Sequence, residues 1–96
     1  MNKVEQAKKV LGNLVKRARA SQMDQEELAL RAGTSKNTMS RLERGKGINS
    51  DTLLSVLEQL SMLDALVVTM EEQYDLVSGN PLRKGTKVEK ELPNDF

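Results

Sequence analysis

The sequence contains no cysteine and no histidine, and these two absences exclude several kinds of chemistry. Without cysteine, neither a disulfide framework nor a thiolate metal site can form. Without histidine, the usual zinc ligands and histidine-based acid–base catalysis are missing as well. The paired acids Glu26–Glu27 and Glu71–Glu72 are interpreted as solvated helix faces. We therefore predict that the chain is not an enzyme, has no small-molecule substrate and requires neither a metal nor a cofactor.

Long apolar runs are also missing from the 96 residues. No segment approaches the roughly 20 apolar residues that span a bilayer, and the N-terminus alternates charged and apolar residues instead of resembling a signal peptide. A chain of this length favours one compact domain over two. We expect a cytoplasmic protein without membrane contact, with a domain over 1–76 and a flexible tail over 77–96.

The basic and acidic residues are distributed unevenly along the chain. Residues 1–50 carry eleven basic and five acidic side chains, a net charge of +6, whereas residues 51–96 carry four and nine, a net charge of −5. No lysine or arginine lies between 51 and 78. A basic half suits contact with phosphates, and an acidic half is repelled by DNA. The pattern predicts that the acidic half faces away from DNA or toward another protein.

Apolar spacing predicts an all-α bundle of four to five short helices. The first helix covers about 3–20, and the second opens at Asp24, an N-cap that forms a capping-box pattern with Glu27. Gly33 ends it and turns the chain into a third helix at Ser35. Ser50–Asp51 are expected to cap a fourth helix. The predicted inward residues of the first four helices are, in order: Val4, Ala7, Leu11, Leu14, Val15, Ala18; Leu28, Ala29, Ala32; Met39, Leu42; Leu53, Leu54, Leu57, Leu60.

A second apolar stripe follows the fourth helix at helical spacing. A small domain already closed by four helices has little room for it, so it is interpreted as a homodimer interface, with intramolecular packing as the alternative. The run 66–69 is also compatible with a short strand at the dimer contact. The residues of the predicted interface are Leu63, Leu66, Val67, Met70 and Tyr74.

The run from Gln25 to Lys46 resembles the helix-turn-helix family of Cro and phage repressors, also called XRE-like. The resemblance covers about 10–66 and depends on a spaced set of residues. It implies a helical bundle that inserts its third helix into the major groove of double-stranded DNA. The set is Gln25, Leu28–Ala29, Gly33, Ser35, Ser40, Glu43 and Gly45.

The chemistry of the third helix agrees with DNA reading. A short polar helix behind a glycine turn presents its first residues to base edges, where lysine can donate to guanine and asparagine can pair with adenine. Phosphate contacts are expected at both ends of the two-helix unit. The predicted base-reading residues are Lys36, Asn37, Ser40 and Arg41. The predicted phosphate contacts are Gln25, Ser35, Thr38, Arg44 and Lys46.

The family resemblance also implies that Glu43 pairs with an arginine of the first helix. Arg19 is the expected partner. Arg17 remains the alternative, because the connection from Arg19 to Gln25 is one residue shorter than usual in the family.

The biological role is predicted from a looser likeness. The segments 54–66 and 80–84 resemble the HipB-type antitoxins of HipBA toxin–antitoxin modules, which implies an autorepressor that also neutralises a HipA-like kinase toxin. A tail ending in Phe96 could order on such a partner. The alternatives are a prophage repressor, a restriction-modification controller, or a protein-interaction module that no longer binds DNA.

Overall fold

The computed structural model describes residues 2–79, and these form five α-helices and no strand. The all-α prediction is confirmed, and the segment interpreted as either helix or strand is helical. The helices are α1 (Lys3–Ala20), α2 (Gln25–Ala32), α3 (Lys36–Glu43), α4 (Ser50–Gln59) and α5 (Leu63–Ser78).

The chain divides into two units, Met1–Asp64 and Ala65–Phe96. The first holds α1 to α4, and α5 begins at its end. Within the first unit, α3 packs against α1 and α2, and α2 packs against α4. Helix α5 continues to Ser78, two residues past the predicted domain boundary. The predicted tail beyond Gly79, including Phe96, lies outside the described residues.

Four helices begin at a side chain that accepts the first free backbone N–H groups, as the capping rule requires. Asp24 and Ser35 cap α2 and α3, as predicted, and Asn2 caps α1. Helix α4 is capped by Asn49, whose Oδ1 accepts the Thr52 N–H at 3.1 Å. The prediction of Ser50–Asp51 was therefore wrong by one residue, because three consecutive residues there can all serve as caps.

The predicted capping box of α2 is only half formed. Asp24 Oδ1 accepts the Glu27 N–H at 2.8 Å, but the Glu27 carboxylate does not reach back to the cap. It accepts a bond of 2.8 Å from Arg31 Nε, one turn further along the exposed face. The i,i+4 ion pair of Glu27 with Arg31 thus takes the place of the bond from the Asp24 N–H to the Glu27 carboxylate that would complete the box.

Glycines end α2 and α3 with the same backbone geometry. Gly33 has φ +72°, and the N–H that follows it donates to Ala29 O at 2.8 Å. Gly45 has φ +80°, and the next N–H donates to Arg41 O at 2.9 Å. Both glycines close the end of their helix in the left-handed conformation, which glycine adopts at little cost. The predicted glycine turn between α2 and α3 is confirmed.

The core of the first unit comes from all four of its helices. Its α2 and α3 residues are those predicted from spacing. In α4, Val56 is fully buried while Leu54 is 39% exposed, so the predicted stripe was wrong at that position. The inward positions of α4 are 53, 56, 57 and 60, a more regular helical face than the run of leucines suggested. The buried apolar residues are Val15, Leu28, Ala29, Ala32, Met39, Leu42, Val56, Leu57 and Leu60.

The inward face of α1 differs most from the prediction. Its buried residues are Gly12 and Val15, whereas Val4 and Leu14 are 66% and 49% exposed and Ala7 is exposed as well. The reason is the close approach of α3. A Cβ on Gly12 would lie 2.5 Å from the backbone oxygen of Leu42. The helix is therefore rotated to place its smallest residue, not its largest apolar ones, against α3.

Candidate nucleic-acid interface

Helix α3 has one buried face and one exposed face. Met39, Leu42 and Glu43 are buried. Asn37 and Arg41 lie on the opposite side, one turn apart, and both are exposed, as is Lys36 beside them. Ser40 lies on the same outer side and is half-buried. The structure thus brings the four predicted base-reading residues together on the outer part of one short helix.

Two of these four residues already have partners within the protein. Arg41 Nη2 donates to Gly47 O at 3.0 Å, and Ser40 Oγ accepts a bond from Arg44 Nη1. Lys36 and Asn37 make no side-chain hydrogen bond to the described residues. Their donors and acceptors are therefore open to an external partner, whereas Arg41 and Ser40 would exchange an internal bond for an external one.

The predicted phosphate contacts cluster around the turns that flank α3. Ser35 Oγ accepts the Thr38 N–H and donates to Thr38 Oγ1, both at 3.1 Å. Arg44 and Lys46 are exposed on either side of the Gly45 turn. The structure places all four at the two ends of the same helix, and their contact with phosphate stays a prediction.

Gln25, the remaining predicted phosphate contact, has a second role that the sequence did not reveal. Its Nε2 donates to Glu43 Oε1 at 2.9 Å, which ties the first residue of α2 to the last residue of α3. An amide nitrogen carries two hydrogens, so one N–H remains for an outside acceptor. No sequence signal links positions 25 and 43, because the bond depends on how the two helices pack.

Glu43 is a buried acid held by two side chains. Arg19 donates to it from Nε to Oε2 at 2.6 Å and from Nη2 to Oε1 at 3.1 Å, while its Nη1 donates to Met23 O at 3.0 Å. The side chains of Arg19 and Glu43 are 13% and 3% exposed. The pairing with Arg19 is confirmed, and the alternative with Arg17 was wrong.

The surroundings of this pair determine how it titrates. Burial raises the pKa of the Glu43 carboxyl, but hydrogen bonds from Arg19 and Gln25 and the positive charges of Arg19 and Lys16 outweigh it, so the pKa lies below its usual value. The hydrogen bond to Glu43 raises the pKa of Arg19, against the smaller effect of burial. Both groups are therefore charged at neutral pH, and their charges compensate each other inside the fold.

The predicted dimer-interface residues share one face of α5. Their spacing of three and four residues places Leu63, Leu66, Val67, Met70 and Tyr74 along a single stripe. Met70 and Tyr74 are each 49% exposed, and no residue of α5 is buried. The structure brings these side chains together, and their role at an interface stays a prediction. Among residues 2–79, none of the helices combines the length and apolar character that crossing a membrane requires.

Comparison with known families agrees with this geometry. A family model described as "Helix-turn-helix" matches residues 15–62, half of the chain, from the middle of α1 through the end of α4. Comparison with curated proteins found no match. Comparison with solved structures also found none. The matched segment contains the glycine turn and the whole of α3. The chain therefore belongs to the helix-turn-helix family, of the Cro/repressor or XRE-like type, and is a DNA-binding transcription regulator.

Proposed function

We propose that the chain is a sequence-specific repressor that binds an inverted-repeat operator as a homodimer, with α3 in the major groove. The observation that carries the proposal is the outer side of α3, where Lys36 and Asn37 are exposed and have no partner among the described residues, while Met39 and Leu42 fix the opposite side in the core. A helix anchored in this way can insert side chains without losing its own packing.

The chemistry of these side chains matches base edges. Asn37 can accept and donate at once, as adenine requires, and Lys36 can donate to the acceptors of guanine. Arg41, one turn further on, would reach an adjacent base pair after releasing Gly47 O. A contact of this kind discriminates between bases by about 1–3 kcal/mol.

Phosphate contacts would hold α3 in register. Gln25 supplies its free N–H from the start of α2, and Arg44 and Lys46 supply charge beyond the end of α3. The excess of basic residues in positions 1–50 supports this assignment, since each phosphate contact gains by releasing counterions from DNA.

The homodimer would form through the apolar stripe of α5. Large apolar side chains that stay half-exposed on one helical face are typical of surfaces that another protein covers. Two copies related by a two-fold axis would present two α3 helices to half-sites about one helical turn, roughly 10 bp, apart.

Selection of bound duplexes from a random pool by the full-length protein tests this proposal. The expected product is an inverted repeat whose half-site centres lie about 10 bp apart, or a small multiple of that distance. Enrichment of a single unrepeated site would contradict binding as a dimer. No enrichment of any sequence would contradict base reading by α3.

A second proposal concerns the biological role, as the autoregulating antitoxin of a HipBA-type module in the cytoplasm. It is supported by the likeness in 54–66. It is also supported by the absence of any basic residue between 51 and 78, because an acidic segment is repelled by DNA and is free to contact a protein. Capture of a kinase-like protein from the native cell, together with a gene for it beside this one, is the expected result. Capture of DNA alone would favour a prophage repressor or a restriction-modification controller.

A further inference from the structure

Helix α1 carries an open apolar face, which we call the α1 groove. It includes Ala7, Leu11 and Leu14, which the sequence pattern had assigned to the core. Val10 and Leu14 are 60% and 49% exposed along it, and Ala7 lies about one turn before Val10 on the same face. Its lining residues are Lys3, Gln6, Ala7, Val10, Leu11 and Leu14.

The groove lies on the side of α1 that faces away from α3. Leu14 is two residues from Gly12, which places it about 160° around the helix. Gly12 is the point where α1 contacts the backbone of Leu42 and Glu43. A protein that occupied the groove would therefore leave the outer side of α3 free to bind DNA.

The charges next to the groove indicate the chemistry of its occupant. Lys3 and Arg17 lie seven residues before and after Val10, so that all three share one helical face. Helix α1 as a whole carries six basic residues and one acidic residue. The segment that covers this groove should therefore be an apolar helix with acidic residues along its flank.

Helix α5 has this composition. It carries four acidic residues and no basic residue. Asp64, Glu71 and Asp75 fall along one flank of its apolar stripe, at intervals of seven and four residues. Met70 and Tyr74 lie on the adjoining stripe and are half-exposed.

We propose that the α1 groove of one copy receives the apolar stripe of α5 from a second copy, so that a dimer contains two equivalent α1–α5 contacts. The inference rests on the proposed homodimer and specifies its two surfaces. Contacts of α1 with α1, or of α5 with α5, would bring together charges of the same sign, which opposes association. The α1–α5 contact instead pairs Lys3 and Arg17 with the acidic flank of α5.

The experiment measures the oligomeric state of the full-length protein by sedimentation equilibrium, without DNA. One variant, Val10→Asp/Leu14→Asp, changes only the groove. A second, Val67→Asp/Met70→Asp, changes only the stripe. Ala20→Asp and Leu76→Asp are matched controls, since both residues are exposed on the same two helices and lie off the proposed surfaces. Circular dichroism checks that each variant keeps its helix content.

The two paired variants should each raise the dimer dissociation constant by more than about 100-fold, because each contact would bury unpaired carboxylates. The two control variants should dimerise like the wild type. An equimolar mixture of the groove and stripe variants should form a heterodimer at a concentration where each alone is a monomer. In that heterodimer, one contact joins an unaltered groove to an unaltered stripe, and all the introduced aspartates are confined to the other contact. In either homodimer, by contrast, both contacts contain an altered surface.

Each contrary result has a distinct meaning. If the groove variant dimerises as well as the wild type, the groove is not part of the interface, and the homodimer stands without this inference. If both variants are monomeric and remain so when mixed, then α1 contacts α1 and α5 contacts α5 in the dimer. That result also overturns the inference. A wild-type protein that stays monomeric at all concentrations would overturn the inference and the proposed homodimer together.

Discussion

The carboxylate of Glu43 and the guanidinium of Arg19 join the end of α3 to the end of α1 through two hydrogen bonds, of 2.6 and 3.1 Å. Gln25 adds a third bond from the start of α2. One buried acid thus connects α1, α2 and α3. The geometry of the proposed reading unit depends on this connection as well as on apolar packing.

Replacing Arg19 with methionine should lower the free energy of unfolding by about 3–5 kcal/mol, because the Glu43 carboxylate would remain buried without its counter-ion. Urea denaturation measures the change. Arg31→Met is the matched control, since the Arg31–Glu27 pair is half-exposed and its loss should cost less than about 1 kcal/mol. Equal losses from the two variants would show that burial of the Arg19–Glu43 pair has no energetic consequence.

The depressed pKa of Glu43 predicts a loss of stability in acid. A carboxyl whose pKa is lower in the folded state stabilises the fold above its unfolded pKa, about 4.3, and that contribution disappears as pH falls through the folded value. The stability difference between wild type and Glu43→Gln should therefore be largest near neutral pH and shrink below about pH 4. Urea unfolding from pH 7 to pH 3 measures it, and a difference that does not change with pH would refute the assignment.

Gly12→Ala should destabilise the fold, because the new Cβ would meet the Leu42 oxygen at 2.5 Å and push α1 away from α3. Overpacking of this kind costs about 1–3 kcal/mol. Gly47→Ala serves as the control, since no atom lies within 4 Å of its Cβ position, and it should change stability by less than about 0.5 kcal/mol. A neutral Gly12→Ala would mean that α1 and α3 are not packed this closely.

Ser61→Gly should stabilise the protein. Ser61 ends α4 with φ +62°, the left-handed geometry that Gly33 and Gly45 adopt at the ends of α2 and α3. The free energy of unfolding should rise by about 1 kcal/mol, because a residue with a Cβ is strained in this conformation and glycine is not. Ser21→Gly is the control: Ser21 follows α1 with φ −86°, so glycine there brings no relief. Thermal denaturation measures both variants. Equal changes in their melting temperatures would show that the backbone at Ser61 is not strained.

Local signals in the sequence predicted the helices well. Asp24 and Ser35 are N-caps, whose side chains accept the N–H of the residue three positions later. Gly33 is the residue that a left-handed turn favours. These features depend on short stretches of chain, so they could be read without knowledge of the fold. The Arg19–Glu43 pair was also predicted, through the family resemblance.

The faces of the helices were harder to predict. In α1, apolar residues occupy two sides, and the choice between them depends on the contact of Gly12 with α3, which lies thirty residues away in the chain. In α4, the same uncertainty led to the prediction that Leu54 points inward, whereas the buried residue is Val56. The Gln25–Glu43 bond depends on packing in the same way. Tertiary contacts decide which of several acceptable apolar stripes turns inward, and no local pattern contains that information.

The most direct test of DNA reading by α3 compares wild type, Asn37→Ala and Lys46→Ala on the selected operator and on a random duplex, over a range of salt concentrations. Asn37→Ala should weaken operator binding by about 1–3 kcal/mol and leave random-duplex binding nearly unchanged. Lys46→Ala should weaken both and reduce the salt slope by about one unit. If Asn37→Ala instead weakened both duplexes equally, or if the wild type bound neither at low salt, the account of α3 as the base-reading helix would be wrong.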